Sequence, residues 1–211
     1  MYIPKHNEET RTDVLDRLIL SQPLASLVTM GSSGLFASHL PMVLHRTHTE
    51  RAVLRGHLSR ANPQWREFSA SIQALAIFSG PQHYITPAWY PEKAETGKVV
   101  PTWNYAVVHA YGLLRIVEDA TWLLEHLHSL TDANESSQSA PWSVKDAPAD
   151  FVATLLNGIV GIELEIERLE GKWKVSQNQT ERTRASVVHG LQVLDTDASL
   201  AMRDLVKGER P

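Results

Sequence analysis

The sequence predicts a mainly β fold with added α-helices, an antiparallel barrel, and three observations predict it. Short β-favouring runs follow one another closely, the turns between them are short, and only one short helix interrupts them. Alternating β and α units would need longer crossovers than this spacing leaves.

Asn7 to Ser21 opens with polar and acidic residues and then sets Val14, Leu15, Leu18 and Ile19 on one face. This is the pattern of an amphipathic helix, closed by Gln22-Pro23. The β-favouring runs follow: Leu24 to Met30, Leu35 to Leu44, Ala52 to Leu58, Ala74 to Phe78, Tyr84 to Ala88 and Tyr105 to Val117. Gly31-Ser32-Ser33-Gly34 joins the first two as a hairpin turn, and Asn62-Pro63 starts the short helix. Asp119 caps a helix from Ala120 to Leu130, with Trp122, Leu123, Leu127 and Leu130 as its apolar side. Thr131 to Ala147 reads as a loop anchored by Trp142, and a further helix runs from Pro148 to Asn157-Gly158. Ile159 to Leu169 alternates apolar residues with Glu163, Glu165, Glu167 and Arg168, a strand with one wet face. Gly171 is expected to turn it back into Lys172 to Ser176 as a hairpin. Glu181 to Leu194 and Asp197 to Val206 close the chain as helices, so that one domain spans 1–211 with a helical tail from 191 to 211.

Composition narrows the function classes. A chain of 211 residues buries roughly 70% of its unfolded surface, enough for one substantial core. No apolar run is long enough to span a bilayer, and Met1 to Asp13 lacks the apolar stretch of a signal peptide, so a cytoplasmic protein is expected. The absence of cysteine excludes disulfides, thiolate zinc sites, iron–sulfur clusters and cysteine-attached haem. A net charge of −4 argues against broad nucleic-acid affinity, which depends on cations replacing phosphate counterions. Arg182, Arg184, Arg203, Lys207 and Arg210 lie late in the chain, but Glu181, Asp195, Asp197, Asp204 and Glu209 are interspersed among them. That pattern is a mixed, solvated helical surface, and no helix-turn-helix pattern stands out.

The richest segment for chemistry is Gly56 to Trp65. Arg55, His57, Ser59 and Arg60 gather where a strand meets a helix start, and a guanidinium, a hydroxyl and free backbone N–H groups suit a phosphate. The same pattern also serves as an ordinary helix cap.

Further motifs accompany it: Met1 to His6, His39 to Pro41, Gly80 to Pro91, Val100 to Gly112 and Gly171 to Asn178. Together they make the chain resemble the PaiB family of FMN-binding transcriptional regulators from Met1 to about Gly190. Gln179 departs from the family pattern, in which an arginine often follows Ser-Gln-Asn. The resemblance implies the FMN-binding split barrel, a homodimer holding two flavins at the shared interface, and a role as negative regulator. A small barrel filled by its own side chains leaves no room inside, so a groove between copies is the natural site.

By that resemblance Ser38, His39 and Leu40 lie along the flavin, while Gly56, His57, Arg60, Ala61 and Asn62 match the phosphate-binding strand and helix start. Thr102, Trp103 and Asn104 approach the ring edge, and Lys174, Ser176 and Gln177 reach across from the partner subunit. Arg60 is the leading phosphate ligand, because a planar guanidinium suits a dianion. DNA is a partner by family resemblance only, unsupported by charge.

Ten histidines invite a metal reading, yet none has the helical i, i+4 spacing of a zinc motif, and His126 and His128 point to different faces of one helix. A structural or flavin-contacting role is the better reading, with no metal. No nucleophile, base and orienting group come together in the sequence, which argues against a hydrolase. Two alternatives stand beside the regulator: a flavin-dependent oxidoreductase acting on a small molecule, and a non-catalytic interaction module with a degenerate flavin site.

Overall fold

The computed structural model describes residues 1–46 and 52–208. Along the chain these form β1 (Glu8–Glu9), α1 (Thr12–Ser21), β2 (Leu24–Gly31), β3 (Gly34–Pro41), β4 (Val43–Arg46), β5 (Ala52–Ser59), α2 (Gln64–Glu67), β6 (Ala74–Ile85), α3 (Glu92–Thr96), β7 (Thr102–Val117), α4 (Ala120–Glu135), α5 (Ala149–Leu156), β8 (Ile159–Lys174), α6 (Glu181–Leu194) and α7 (Asp197–Lys207). The strands hydrogen-bond in the order β3-β2-β6-β7-β8-β5-β4, with β1 on β8. The pairs β1–β8, β2–β3, β2–β6, β4–β5 and β5–β8 are antiparallel. The fold is therefore the antiparallel β class with added helices, the split barrel, that the sequence predicts.

The chain packs as two compact units, and β6, β7 and β8 each contribute residues to both. The first unit comprises Met1–Gln22, Phe78–His109 and Glu170–Pro211. Its core is the apolar stripe of α1, Val14, Leu15, Leu18 and Ile19, with Phe78, Ile85, Trp173 and, from α6 and α7, Val187, Leu191, Met202 and Leu205. The second unit comprises Pro23–Ile77 and Ala110–Leu169. It buries Leu27, Leu40, Met42, Leu54, Leu123, Ile162 and Leu164. The Gly31–Gly34 turn closes the β2–β3 hairpin as expected, with Gly34 at φ 100°, a conformation that favours glycine. Asp119 caps α4 by accepting from the Trp122 N–H at 2.7 Å.

Several sequence expectations are corrected. The first helix begins at Thr12 rather than Asn7, because the Glu9 carboxylate takes the Arg11 backbone N–H at 3.0 Å and Glu8 and Glu9 pair with β8. The expected strand Leu35 to Leu44 breaks at Met42, whose N–H turns aside to the Pro23 carbonyl at 2.8 Å. Ala74 to Phe78 and Tyr84 to Ala88 are not two strands. A single strand, β6, runs to Ile85 and gives way to a 3-10 turn at Pro87–Trp89. The α4 helix continues past Leu130 to Glu135. Trp142 is 48% exposed, tied by its backbone N–H to the Glu135 carboxylate at 2.9 Å; the buried residue of that loop is Val144, inside a Ser143–Asp146 capping box.

The largest correction is at Gly171, which makes no turn, since β8 runs unbroken through it. A Cβ there would stand 2.7 Å from the Glu9 carbonyl oxygen, so this glycine lets two strands approach closely. Of the tail expected from 191 to 211, α7 is helical to Lys207, and residues 209–211, with Glu209 and Arg210, lie outside the described residues.

Candidate functional site

The site residues expected from sequence fall into two groups, one in each unit. In the second unit β3, β5 and the turn after β5 surround a cavity of about 650 Å³ lined by Ser38, His39, Leu40, His57, Ser59 and Asn62, with Gly158 and Ile159 on its rim. Asn62 ties this wall together: its Nδ2 donates to Ser38 Oγ at 2.9 Å and its Oδ1 accepts from the Gln64 N–H at 2.9 Å. His39 is fixed by a 2.9 Å hydrogen bond between its Nδ1 and Ser26 Oγ.

Three expected residues do not line this cavity. Gly56 is buried, and a Cβ on it would meet Leu40 Cδ1 at 2.9 Å and the Pro41 carbonyl at 3.2 Å. Its lack of a side chain lets β3 and β5 close up, which shapes the cavity from behind. Ala61 sits on the exposed turn, its N–H directed at Ser59 Oγ at 3.3 Å. Arg60 has three of its five N–H donors engaged: Nε to the Asn157 carbonyl at 3.1 Å, one Nη to the Glu118 carboxylate at 2.5 Å and the other to the Ile159 carbonyl at 3.1 Å. It thereby holds the segment that forms the cavity rim. The expected helix after Pro63 is a single turn, so the backbone contributes little macrodipole there.

Sequence reasoning missed what lies beneath His57. Its Nδ1 is 3.1 Å from Nε2 of His126, a residue of α4 that is only 1% exposed. The His126 ring stacks on Trp122, with centroids 5.5 Å apart and planes inclined by 22°, and the Arg55 guanidinium lies 5.3 Å from the Trp122 ring centre. Burial, assisted by the His57, His45 and Arg55 charges, pushes the His126 pKa down to about 4, and burial lowers that of His57 as well. Both rings are neutral at pH 7. Glu163 accepts from Arg55 at 2.8 Å and from Arg115 at 2.6 Å, and although burial alone would raise its pKa, these two partners together hold it below the usual carboxylate range.

In the first unit Thr102, Asn104, Lys174 and Ser176 come together around a cavity of about 350 Å³, with Tyr90, Lys98 and Gln179. Asn104 is 1% exposed; its Nδ2 donates to Ser176 Oγ at 2.9 Å, while its Oδ1 is buried without a donor among the described residues. Ser176 is held at φ 61°, a left-handed backbone that costs a non-glycine residue about 1 kcal/mol or more. Lys174 Nζ donates to Thr102 Oγ1 and to the Trp103 carbonyl. Trp103 and Gln177 stand outside this cavity. Trp103 donates to Gln82 Oε1 at 2.9 Å, and Gln177 bridges backbone groups of His6, Trp173 and Val175. Gln179, where the family pattern departs, is part of the lining.

These groups suit a flavin. A buried acceptor lacking a donor at Asn104 matches an imide N–H, the Lys174 ammonium matches a carbonyl or anionic oxygen, and the second-unit wall of hydroxyl, amide and imidazole matches a polar ribityl phosphate. Among the described residues no three His, Asp or Glu side chains gather as metal ligands, and no helix is long and apolar enough to cross a membrane.

Comparison with known proteins bears on this chemistry directly. Residues 1–168 match the family described as "Putative FMN-binding domain". An uncharacterized protein of Emericella nidulans is 37% identical, the alignment covering 98% of this chain and 96% of that one. The Bacillus subtilis protein named protease synthase and sporulation protein PAI 2 is 30% identical over 98% of this chain and 97% of its own. Among solved structures, the flavocytochrome Anf3 of Azotobacter vinelandii superposes with a TM-score of 0.58 at 14% identity, covering 87% of this chain and 78% of that one. The FAD and haem binding protein of Mycobacterium smegmatis gives 0.56 at 16%, covering 80% and 73%. At such identities the two structures speak for the fold alone.

Proposed function

The chain belongs to this family of FMN-binding domains, and on that premise we propose that it is a homodimeric, cytoplasmic FMN-binding protein of the PaiB type that acts as a negative regulator of gene expression. The cofactor is a flavin. The observation that carries the reading furthest is Asn104, a buried amide whose oxygen lacks a donor among the described residues. Leaving such an acceptor unsatisfied costs about 1 to 3 kcal/mol, and a flavin imide would recover it.

In this reading the residues divide the work between copies. Ser38, His57, Ser59 and Asn62 of one copy hold the ribityl phosphate, with Arg60 beside them, and Thr102, Asn104, Lys174 and Ser176 address the ring edge from the other. A bound flavin supplies one- or two-electron redox chemistry at its ring. The chain's own groups bind and orient it: the neutral His57 donates or accepts without adding charge, and Lys174, held by Thr102 and the Trp103 carbonyl, sets a cation at the site. Regulation through a partner protein fits the surface better than broad contact with DNA. The net charge is −4, and Arg182 and Arg203 of α6 and α7 are paired with Glu95 and Asp204.

Replacing Arg60 with alanine tests the phosphate assignment. Arg60 is one-third exposed and shares its charge with Glu118, so its contact is placed at the low end for charge-assisted hydrogen bonds, about 1.5 kcal/mol. FMN affinity is expected to fall roughly tenfold by fluorescence titration while riboflavin, which lacks the phosphate, binds as before. Equal losses for both ligands would make Arg60 a support of the Asn157–Ile159 rim only. Bleaching of the bound flavin by NAD(P)H would turn the reading towards an oxidoreductase.

A further inference from the structure

We propose that His126 is a positioning residue that fixes His57 as its Nε2–H tautomer, so that the second unit's cavity offers a neutral N–H donor to an acceptor oxygen of the ligand. The proposal rests on the flavin-binding reading for the identity of that ligand, though not for the state of the ring.

Two neutral imidazoles whose nitrogens lie 3.1 Å apart share one proton: one ring donates and the other accepts. His57 Nδ1 is the atom that faces His126, and His57 Nε2 has no partner among the described residues. The choice of donor is therefore made on the His126 side. His126 Nδ1 is buried and has no partner among the described residues. A proton on that atom would be an orphaned N–H, and the pair would then take its proton from His57 Nδ1. A proton on His126 Nε2 is used in the bond to His57 and leaves only a lone pair in the buried position. The second arrangement is therefore favoured, and the surrounding charge keeps the ring neutral so that the choice lies between these two forms. Arg55 on β5 and His45 on β4 both oppose positive charge at His126, while Glu163 on β8 is already engaged by Arg55 and Arg115. With His126 donating, His57 accepts at Nδ1 and carries its own hydrogen on Nε2, the nitrogen left for the cavity that His57 lines.

The stacking of His126 on Trp122 makes this a fixed element. The ring cannot turn to exchange its nitrogens without displacing the indole. The donor so created reads an oxygen, whether of a phosphate or of a flavin carbonyl, and the two sources separate in the test.

The experiment uses the full-length, 15N-labelled protein without ligand at pH 7.5, with long-range 1H–15N correlations of the histidine rings assigned by comparison with a His57→Gln spectrum. Expected are Nε2–H tautomers for both His57 and His126; an Nδ1–H tautomer at His57 overturns the proposal. His126→Phe, which keeps the stack and removes the donor, is expected to release His57 into a mixture of tautomers and to weaken FMN binding about twofold, in proportion to the fraction that loses the Nε2–H form. His126→Gln, which restores a side-chain N–H, is expected to recover most of that affinity. Loss for FMN with riboflavin unchanged assigns the oxygen to the phosphate, and equal loss for both assigns it to the ring; either supports the proposal. An unaltered FMN affinity in His126→Phe overturns it. Should His126→Phe fail to fold, the spectrum of the parent still decides. Should the parent fail to bind FMN at all, the flavin reading falls while the tautomer remains measurable.

Discussion

Replacing Gly161 with valine is expected to destabilise the protein by about 3 kcal/mol and to lower its melting temperature by roughly 6 to 12 °C. Gly161 lies on β8 directly opposite His57 of β5. A Cβ at this position would collide with Cζ3 of Trp122, stand 2.9 Å from its Cε3 and 3.0 Å from the Val117 carbonyl. Neither a fused ring nor a strand carbonyl yields cheaply, so the cost sits at the upper end for overpacking. The displaced indole carries His126 with it, since the two rings stack, and His126 in turn holds His57. FMN affinity is therefore expected to drop more than tenfold in the fraction that remains folded. Thermal melting with and without FMN checks both effects, and a variant that melts and binds like the parent would show that the indole is free to move.

Acid should destabilise the protein well above the range in which carboxylates titrate. An ordinary histidine titrates near pH 6.5, whereas His126 in the folded chain does so at about 4. Above pH 6.5 the ring is neutral in both states and no penalty arises. As the pH falls below 6.5 the unfolded chain takes up a proton that the folded chain refuses, so stability is lost progressively until about pH 4. Between pH 7.5 and 5 this one group removes about 2 kcal/mol by linkage. His57 and His45, also lowered chiefly by burial, act in the same direction. Urea unfolding at the two pH values measures the difference, and His126→Phe should flatten the profile. A stability that is constant over this interval would show His126 to be solvated.

Local features of the fold were legible in the sequence because their causes are local. The Gly31–Gly34 turn, the Asp119 cap, the helix after Pro148 and the two closing helices all follow from residues a few positions apart. The errors arose where a distant contact overrode the local signal. Gly171 reads as a turn until Glu9 is seen against it, and the β6 strand reads as two until Ser79 to His83 are seen to continue it. The site shows the same division. Residue types and order marked His57 and Asn62, and the family resemblance added Ser38, Asn104 and Lys174, all of which the cavities do contain. The pairing of His57 with His126 joins residues 69 apart, and that of Asn104 with Ser176 residues 72 apart. Nothing in the spacing of either pair announces it. The Arg60–Glu118 ion pair likewise spans 58 positions and gives Arg60 a structural duty alongside its proposed contact.

The claim on which the rest depends is that two copies of this chain assemble around flavin, and light scattering combined with absorbance at flavin wavelengths tests it in a single run. The purified protein, saturated with FMN and separated from the excess, is predicted to elute as a dimer of the 23.6 kDa chain carrying one FMN per subunit. A monomer that retains FMN at the same occupancy, or a dimer that elutes colourless after saturation, would contradict the account.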